Sequence, residues 1–421
     1  MRLIYAVLLS AIILAVGLSV ALPGATLVAG ALTIAAAAVG LALVNRTQRI
    51  IAAVLIGVGV TSVAIGLVLG RQIECRDLFL VNQDLIGMLA AVSFLRLVTP
   101  TVPIKRTRLH GRLAVVRTSL ATHALGAIIN IGAVGIVGDH LRGRSALRLA
   151  DAALLSRSFS AAAFWSPFWA AAAAATTLVP GANSLVLMLV GLGLALVAIT
   201  LSVWDIFHLW GRELPAYTGY TLSWALIRVP LALVALVVVA HQLVPTIPVP
   251  RIVLLAGLGV TLIGLLILNG RGALRSLVRH AGHDLPQLRG EVTLFASAGV
   301  LAVGLRMLFP LFSLQLPVTE FTVPVAWSMM LCALIGVHPV VSVAIVAALV
   351  HPLSPDPTLF VLAACIGWGV STAVGPLTGL TMLLSARYGI DSITLTRRNL
   401  IYLAAVLVAS WPALLLCAAL A

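Results

Sequence analysis

Apolar runs of about 20 residues recur from one end of this 421-residue chain to the other. A helix rises about 1.5 Å per residue, so a run of that length crosses a hydrocarbon layer of about 30 Å. The runs therefore predict an all-α polytopic membrane protein. Composition supports this, because 62% of the residues are apolar and only 9% are charged. A soluble domain carries roughly 25% charged residues. No polar stretch is long enough to form a soluble domain of its own.

Eleven spanning helices are predicted, at 3–22, 25–44, 50–70, 84–100, 158–179, 184–204, 218–242, 251–269, 291–311, 357–385 and 398–420. Two further apolar stretches, 113–141 and 323–350, resist assignment as single spans. The first is interrupted by Asn130 and Gly132, the second by His338 and Pro339. Arms of ten to fourteen residues reach about halfway across a bilayer, so each stretch reads as a re-entrant helical hairpin. Backbone of that kind survives at depth only where protein or a cavity encloses it. Arg2 and the apolar run behind it resemble a signal peptide. The run is long for one and lacks a small-x-small cleavage site, so a spanning first helix is the reading.

The net charge of +14 reports topology rather than nucleic-acid binding. Twenty-five of the 26 basic residues are Arg, set in short loops without an aromatic-rich basic face. With the N-terminus inside, 20 fall on the inner side and Arg71, Arg76 and Arg251 fall outside. That bias predicts a cytoplasmic N-terminus and an external C-terminus in a bacterial-type inner membrane. The hairpin reading keeps the clusters Lys105 to Arg117 and Arg142 to Arg157 on one side. Cys75, Cys332, Cys365 and Cys417 are scattered without CxxC spacing, so neither a disulfide framework nor a metal site is expected.

Landmarks recur at offsets of 208 to 210: Leu95 to Pro100 with Leu305 to Pro310, Asn130 with His338, and Trp165-Ser166-Pro167 with Val374-Gly375-Pro376. They predict an extra first helix (1–24) and two repeats, 25–210 and 211–421. Five full spans per repeat is odd, so the second runs inverted through the membrane. Such halves place substrate near the midplane at discontinuous helices.

The candidate site follows from these breaks. Proline removes a backbone donor, and nearby Gly or Ser lets a helix open. Freed amides at a half-helix start suit an anion, and freed carbonyls suit Na⁺. Ser166, Pro167, Ser371, Thr372, Gly375, Pro376 and Thr378 are thus assigned to a substrate site, with Asn130 and His338 at the hairpin tips. Na⁺ would use carbonyls near Asn130 and Gly336, and His338 is a proton-coupling candidate. The competing role for the hydroxyls is back-bonding to the preceding turn, and for Asn130 and His338 it is capping. His123 reads as structural, Arg96 and Arg306 as snorkelling to the headgroups, and Arg228 as a weak site candidate. All twelve acidic residues are expected in loops or at helix ends, which favours an anionic substrate over a cation exchanger.

This arrangement resembles the ion transporter superfamily, which includes divalent anion/sodium symporters, the large membrane subunits of TRAP-type carriers, and arsenite and Na⁺/H⁺ transporters. The resemblance spans the whole chain. It implies a homodimer moving substrate by an elevator motion, with sites between the hairpin tips and the broken helices behind them. The Ser-Asn-Thr tips of dicarboxylate symporters are absent here. The chain length also suits a TRAP large subunit, which would need a small membrane partner and a periplasmic binding protein. The predicted activity is ion-coupled secondary transport of a small organic acid or oxyanion, with no enzymatic cofactor and no nucleic-acid partner. An Na⁺/H⁺ antiporter-like exchanger is the alternative. A membrane enzyme acting on lipid-linked substrate fits poorly, because the outer loops are short.

Overall fold

The computed structural model describes residues 1–74, 76, 79, 80, 82–98, 110–142, 146–220, 224–308, 318–350 and 356–421. The side chains of 224–227, 229, 230 and 318–321 are not among them. Cys75, Asp77, Pro100, Lys105, Arg106, Arg108, Arg144 and Pro310 lie outside the described residues, as do the side chains of Trp224, Pro230 and Glu320.

Three helices open the chain: α1 (Arg2–Leu18), α2 (Ala25–Leu43) and α3 (Arg46–Val68). Asn45 caps α3 by accepting the Gln48 N–H at 2.9 Å. Helix α4 (Gln83–Ser93) tightens into a 3₁₀ turn at Phe94–Leu97. Next come α5 (Gly111–Ile129), α6 (Gly132–Arg142), α7 (Leu149–Ser160), α8 (Ala170–Leu178) and α9 (Ser184–Trp210). The second part contains α10 (Trp224–Leu243), α11 (Val249–Asn269), α12 (Ala273–His283) and α13 (Arg289–Leu308). Helices α14 (Val318–Leu334), α15 (Pro339–Val350), α16 (Pro357–Val374), α17 (Gly379–Tyr388) and α18 (Ser392–Leu420) complete it.

Among the described residues, six helical stretches are long and apolar enough to cross a membrane: 25–43, 46–68, 184–216, 249–308, 357–388 and 392–420. One of them, 249–308, covers two of the spans expected from the sequence, 251–269 and most of 291–311. Helix α1 has 17 residues, α4 has 11, α7 has 12 and α8 has 9, so each falls short of a full crossing alone. Large apolar side chains such as Ile51, Val58, Ile263 and Ile267 stand exposed on the outer faces. A surface of that kind suits hydrocarbon, and the chain is a multi-pass membrane protein.

Two packing units organise the rest. Helices α3 and α13 touch through backbone: a Cβ on Gly304 would lie 2.2 Å from the Gly59 carbonyl oxygen, and one on Gly59 would lie 2.6 Å from that of Val300. The other unit centres on α16, whose residues are almost all buried. It crosses the end of α7 so closely that a Cβ on Gly369 would lie 2.7 Å from the Ser160 carbonyl oxygen.

Two assignments change. The helix expected at 158–179 begins at Leu149 and breaks at 165–169, so Arg157 sits in mid-helix and is 1% exposed. Asp205 lies inside α9 and Arg398 inside α18, rather than in loops. Asp205 answers the charge of the buried Arg157 and pairs with the partly exposed Arg398, while Asn399 and the Arg398 carbonyl accept the remaining Arg157 donors.

Candidate functional site

Each predicted break is a real interruption with an identifiable local cause. Asn130 adopts φ 56°, ψ −144°, and its Oδ1 accepts the Ile131 N–H at 2.8 Å. Non-glycine residues rarely occupy that region, and Asn tolerates positive φ better than most. The corresponding turn of the second stretch uses Gly336 at φ 87°. His338 then heads α15, its Nδ1 accepting the Val340 N–H at 3.2 Å. That bond places the neutral ring's proton on Nε2.

The two breaks behind these turns are bolted to the preceding helices. Ser166 donates to the Ala127 carbonyl at 2.5 Å, and the Trp169 indole N–H donates to Gly126 at 2.9 Å. Trp165 donates to His123 Nε2 at 3.0 Å, while His123 Nδ1 meets the Ser158 carbonyl at 3.1 Å. Both ring nitrogens are thus used, which makes His123 a structural clamp. In the second half, Ser371 lies 3.0 Å from the Met329 carbonyl and 2.6 Å from that of Gly367. Thr372 donates to Trp368 at 2.9 Å, and Thr378 to the Thr372 carbonyl at 2.9 Å. Thr378 also caps α17 by accepting the Thr381 N–H. These hydroxyl protons hold the breaks open rather than pointing at a solute.

All four interruptions converge on one cavity of about 100 Å³, enough for several water molecules. Asn130, His338, Thr372 and Thr378 line it among the predicted residues. Phe159, Trp169, Phe295 and Trp368 supply an aromatic wall. Ser166, Pro167, Ser371, Gly375 and Pro376 do not line it; they form the breaks that open it. Pro167 instead borders a small apolar pocket beside Met188 and His241.

The cavity's electrostatics come from backbone. Residues at the starts of α6, α8, α15 and α17 all border it. First-turn N–H groups have no carbonyl to reach within their own helix, and each start carries roughly half a positive charge.

Glu291, in the first turn of α13, also lines this cavity. Glu291 stands at a helix end, as expected from the sequence, and is exposed, yet it borders the cavity; the expectation is corrected at Asp205, which is buried inside α9. The place of Glu291 on the cavity was not legible because one residue at the edge of an apolar run decides whether it faces headgroups or a cavity. Asp205 carried a signal, since an acid within a long apolar run demands a partner. Those partners are Arg157, at 2.7 Å, and Arg398. Arg157 also donates to Asn399 Oδ1 and the Arg398 carbonyl, each at 2.8 Å, and Asn399 donates to the Ala373 carbonyl beside the second break. The arginines weighed as countercharges lie elsewhere. Arg306 donates to the Leu178 carbonyl at the end of α8, at 2.7 Å, and Arg96 and Arg228 are exposed. No group of three or more His, Cys, Asp or Glu suited to a metal occurs among the described residues.

No protein-family profile matches the chain, and no curated protein does. Among solved structures, the YdaH transporter of Alcanivorax borkumensis, described as having an unusual topology, is similar at 14% identity and a TM-score of 0.43. The match covers 87% of this chain and 84% of that one.

Proposed function

We propose that this protein is a secondary transporter of a small anionic solute, with the substrate held in the cavity where the four helix interruptions meet. That convergence is the observation that carries the reading. Interrupted helices in a membrane leave backbone polar groups without partners, a cost tolerated where the groups line a cavity. Four helix starts facing one space favour an anion, and aromatic walls favour an organic one.

The inverted-repeat reading draws support from the same wall. Phe159 and Trp368, Trp169 and Thr378, Ala170 and Gly379, and Asn130 and Pro339 all border the cavity, and the members of each pair are 209 residues apart. Ser160 and Gly369, which meet where α7 crosses α16, are separated by the same interval. Residues near a two-fold axis contact their own counterparts, so a cavity on such an axis accounts for the pairing. In this reading α2, α3 and α13 form a scaffold, and the hairpins with their broken helices move against it as an elevator. Ion coupling, by Na⁺ or H⁺, and a homodimeric scaffold complete the proposal.

Proteoliposomes loaded with candidate organic acids and oxyanions, under an imposed Na⁺ or H⁺ gradient, test this directly. Gradient-driven anion flux is expected, and Pro376→Ala should lower it at least tenfold while the protein remains monodisperse. Absence of flux for every anion would reject the proposal. A second reading, a cation/proton exchanger, draws on Glu291 in the cavity wall. Gradient-driven Na⁺ movement without any anion would establish it instead.

A further inference from the structure

Glu291 stands in the first turn of α13, where a carboxylate complements the helix start. It has no ion pair and no hydrogen bond among the described residues, yet it borders the space that four helix starts make positive. A carboxylate there occupies the electrostatic position that an incoming anion would take. Glu291 is exposed; a second negative charge in the same cavity repels it, and the repulsion strengthens as the bound solute excludes water. The cheapest relief is to bind a proton on one of the two groups.

We infer that Glu291 links anion binding to proton uptake: the empty cavity holds Glu291 ionised, and the anion-bound cavity holds it protonated. The inference rests on the transporter reading given above. His338 suits this role less well, because its Nδ1 caps α15 by accepting the Val340 N–H. Protonating that nitrogen would break the cap.

The surroundings leave Glu291 as the free titrating group. Helix α13 packs against α2, α3, α4, α15 and the 285–288 turn. Helix α2 and the turn contribute no titratable side chain. On α3 the groups are Arg46 and Arg49, the latter bonded to the carbonyls of Leu41, Ala42 and Val44. On α4, Asp84 pairs with Arg251 at 3.0 Å. His338 heads α15. On α13 itself, Arg306 lies at the far end and Arg289 two residues from Glu291. Tyr5 of α1 is within electrostatic range of Arg289 and Glu291.

Linkage fixes what should be measured, because a proton taken up on binding makes affinity depend on pH. Binding of succinate and of sulfate to the purified full-length protein would be followed by calorimetry from pH 5 to pH 8. The wild type should weaken by up to about tenfold per pH unit as pH rises, one proton per anion. Glu291→Gln should bind tightly and independently of pH, and Glu291→Asp should restore the slope if the glutamine variant folds poorly. Wild-type pH dependence persisting in Glu291→Gln overturns the assignment while leaving the anion site standing. Binding without pH dependence in the wild type does the same. Binding of neither probe at any pH overturns the assignment together with the anion reading of the cavity.

Discussion

At the residue scale, single side chains decide where helices stop. Asn130 is held at a positive φ that most L-residues avoid, and its side-chain amide oxygen steadies the turn by accepting the Ile131 N–H. Glycine reaches this backbone region without strain, whereas a β-branched residue resists it. Asn130→Gly is therefore expected to keep the protein's melting temperature within a few degrees and to impair solute binding. Asn130→Val should destabilise by about 1–3 kcal/mol, measured by thermal unfolding in detergent. Equal stability of the two variants would mean the turn relaxes and Asn130 is not strained. The position was legible in the sequence because a polar residue interrupts an apolar run there. Its backbone angle was not, since φ depends on how the two arms are packed.

Among elements, the telling feature is the network joining α7, α9, α16 and α18. Arg157 is almost fully enclosed, yet its charge is answered by Asp205 and its remaining donors by Asn399 and a carbonyl. Asn399 extends the connection to Ala373, at the edge of the second break. The two broken helices are thus tied together behind the cavity. Removing one partner of a buried pair leaves the other uncompensated and typically costs about 3–5 kcal/mol. Asp205→Asn should lose stability on that scale, and Arg157→Met combined with Asp205→Leu should recover most of it. A double-mutant cycle by chemical unfolding reads this, and additive losses would show that the pair is not coupled. The sequence placed Arg157 in a loop because a charged residue at the start of an apolar run counts as flanking. Only the partner supplied by α9, 48 residues away, makes its burial tolerable.

For the whole molecule, the contacts bear on sidedness. Arg148 pairs with Glu213, and Arg387 with Asp139, joining loops and helix ends that the charge bias placed on one face. On the other side, residues 180–182 and 245–250 border a common cavity of about 380 Å³ together with Asp84. In a cysteine-free background, Ala182→Cys and Thr246→Cys are expected to react with an impermeant maleimide from one face of the membrane. Arg142→Cys and Arg271→Cys should react from the opposite face. Labelling of Ala182→Cys and Arg142→Cys from the same side would contradict the arrangement.

Periodicity and length of the apolar runs were enough to establish a helical membrane protein and to locate the four interruptions that border the cavity within a few residues. These are local properties: a run either is or is not long enough to cross hydrocarbon, and Pro, Gly or Asn breaks a helix wherever it stands. The sequence also placed Asn130, His338, Thr372 and Thr378 in one candidate site, and these four share one cavity wall. What the tertiary structure decided was which groups face that space. It turned Ser166 and Ser371 into bolts, because their protons reach carbonyls of neighbouring helices 39 and 42 residues away. It also brought Glu291 in from a distant helix. A carboxylate's role depends on the charges and dipoles around it, and those come from elements that sequence spacing cannot bring together.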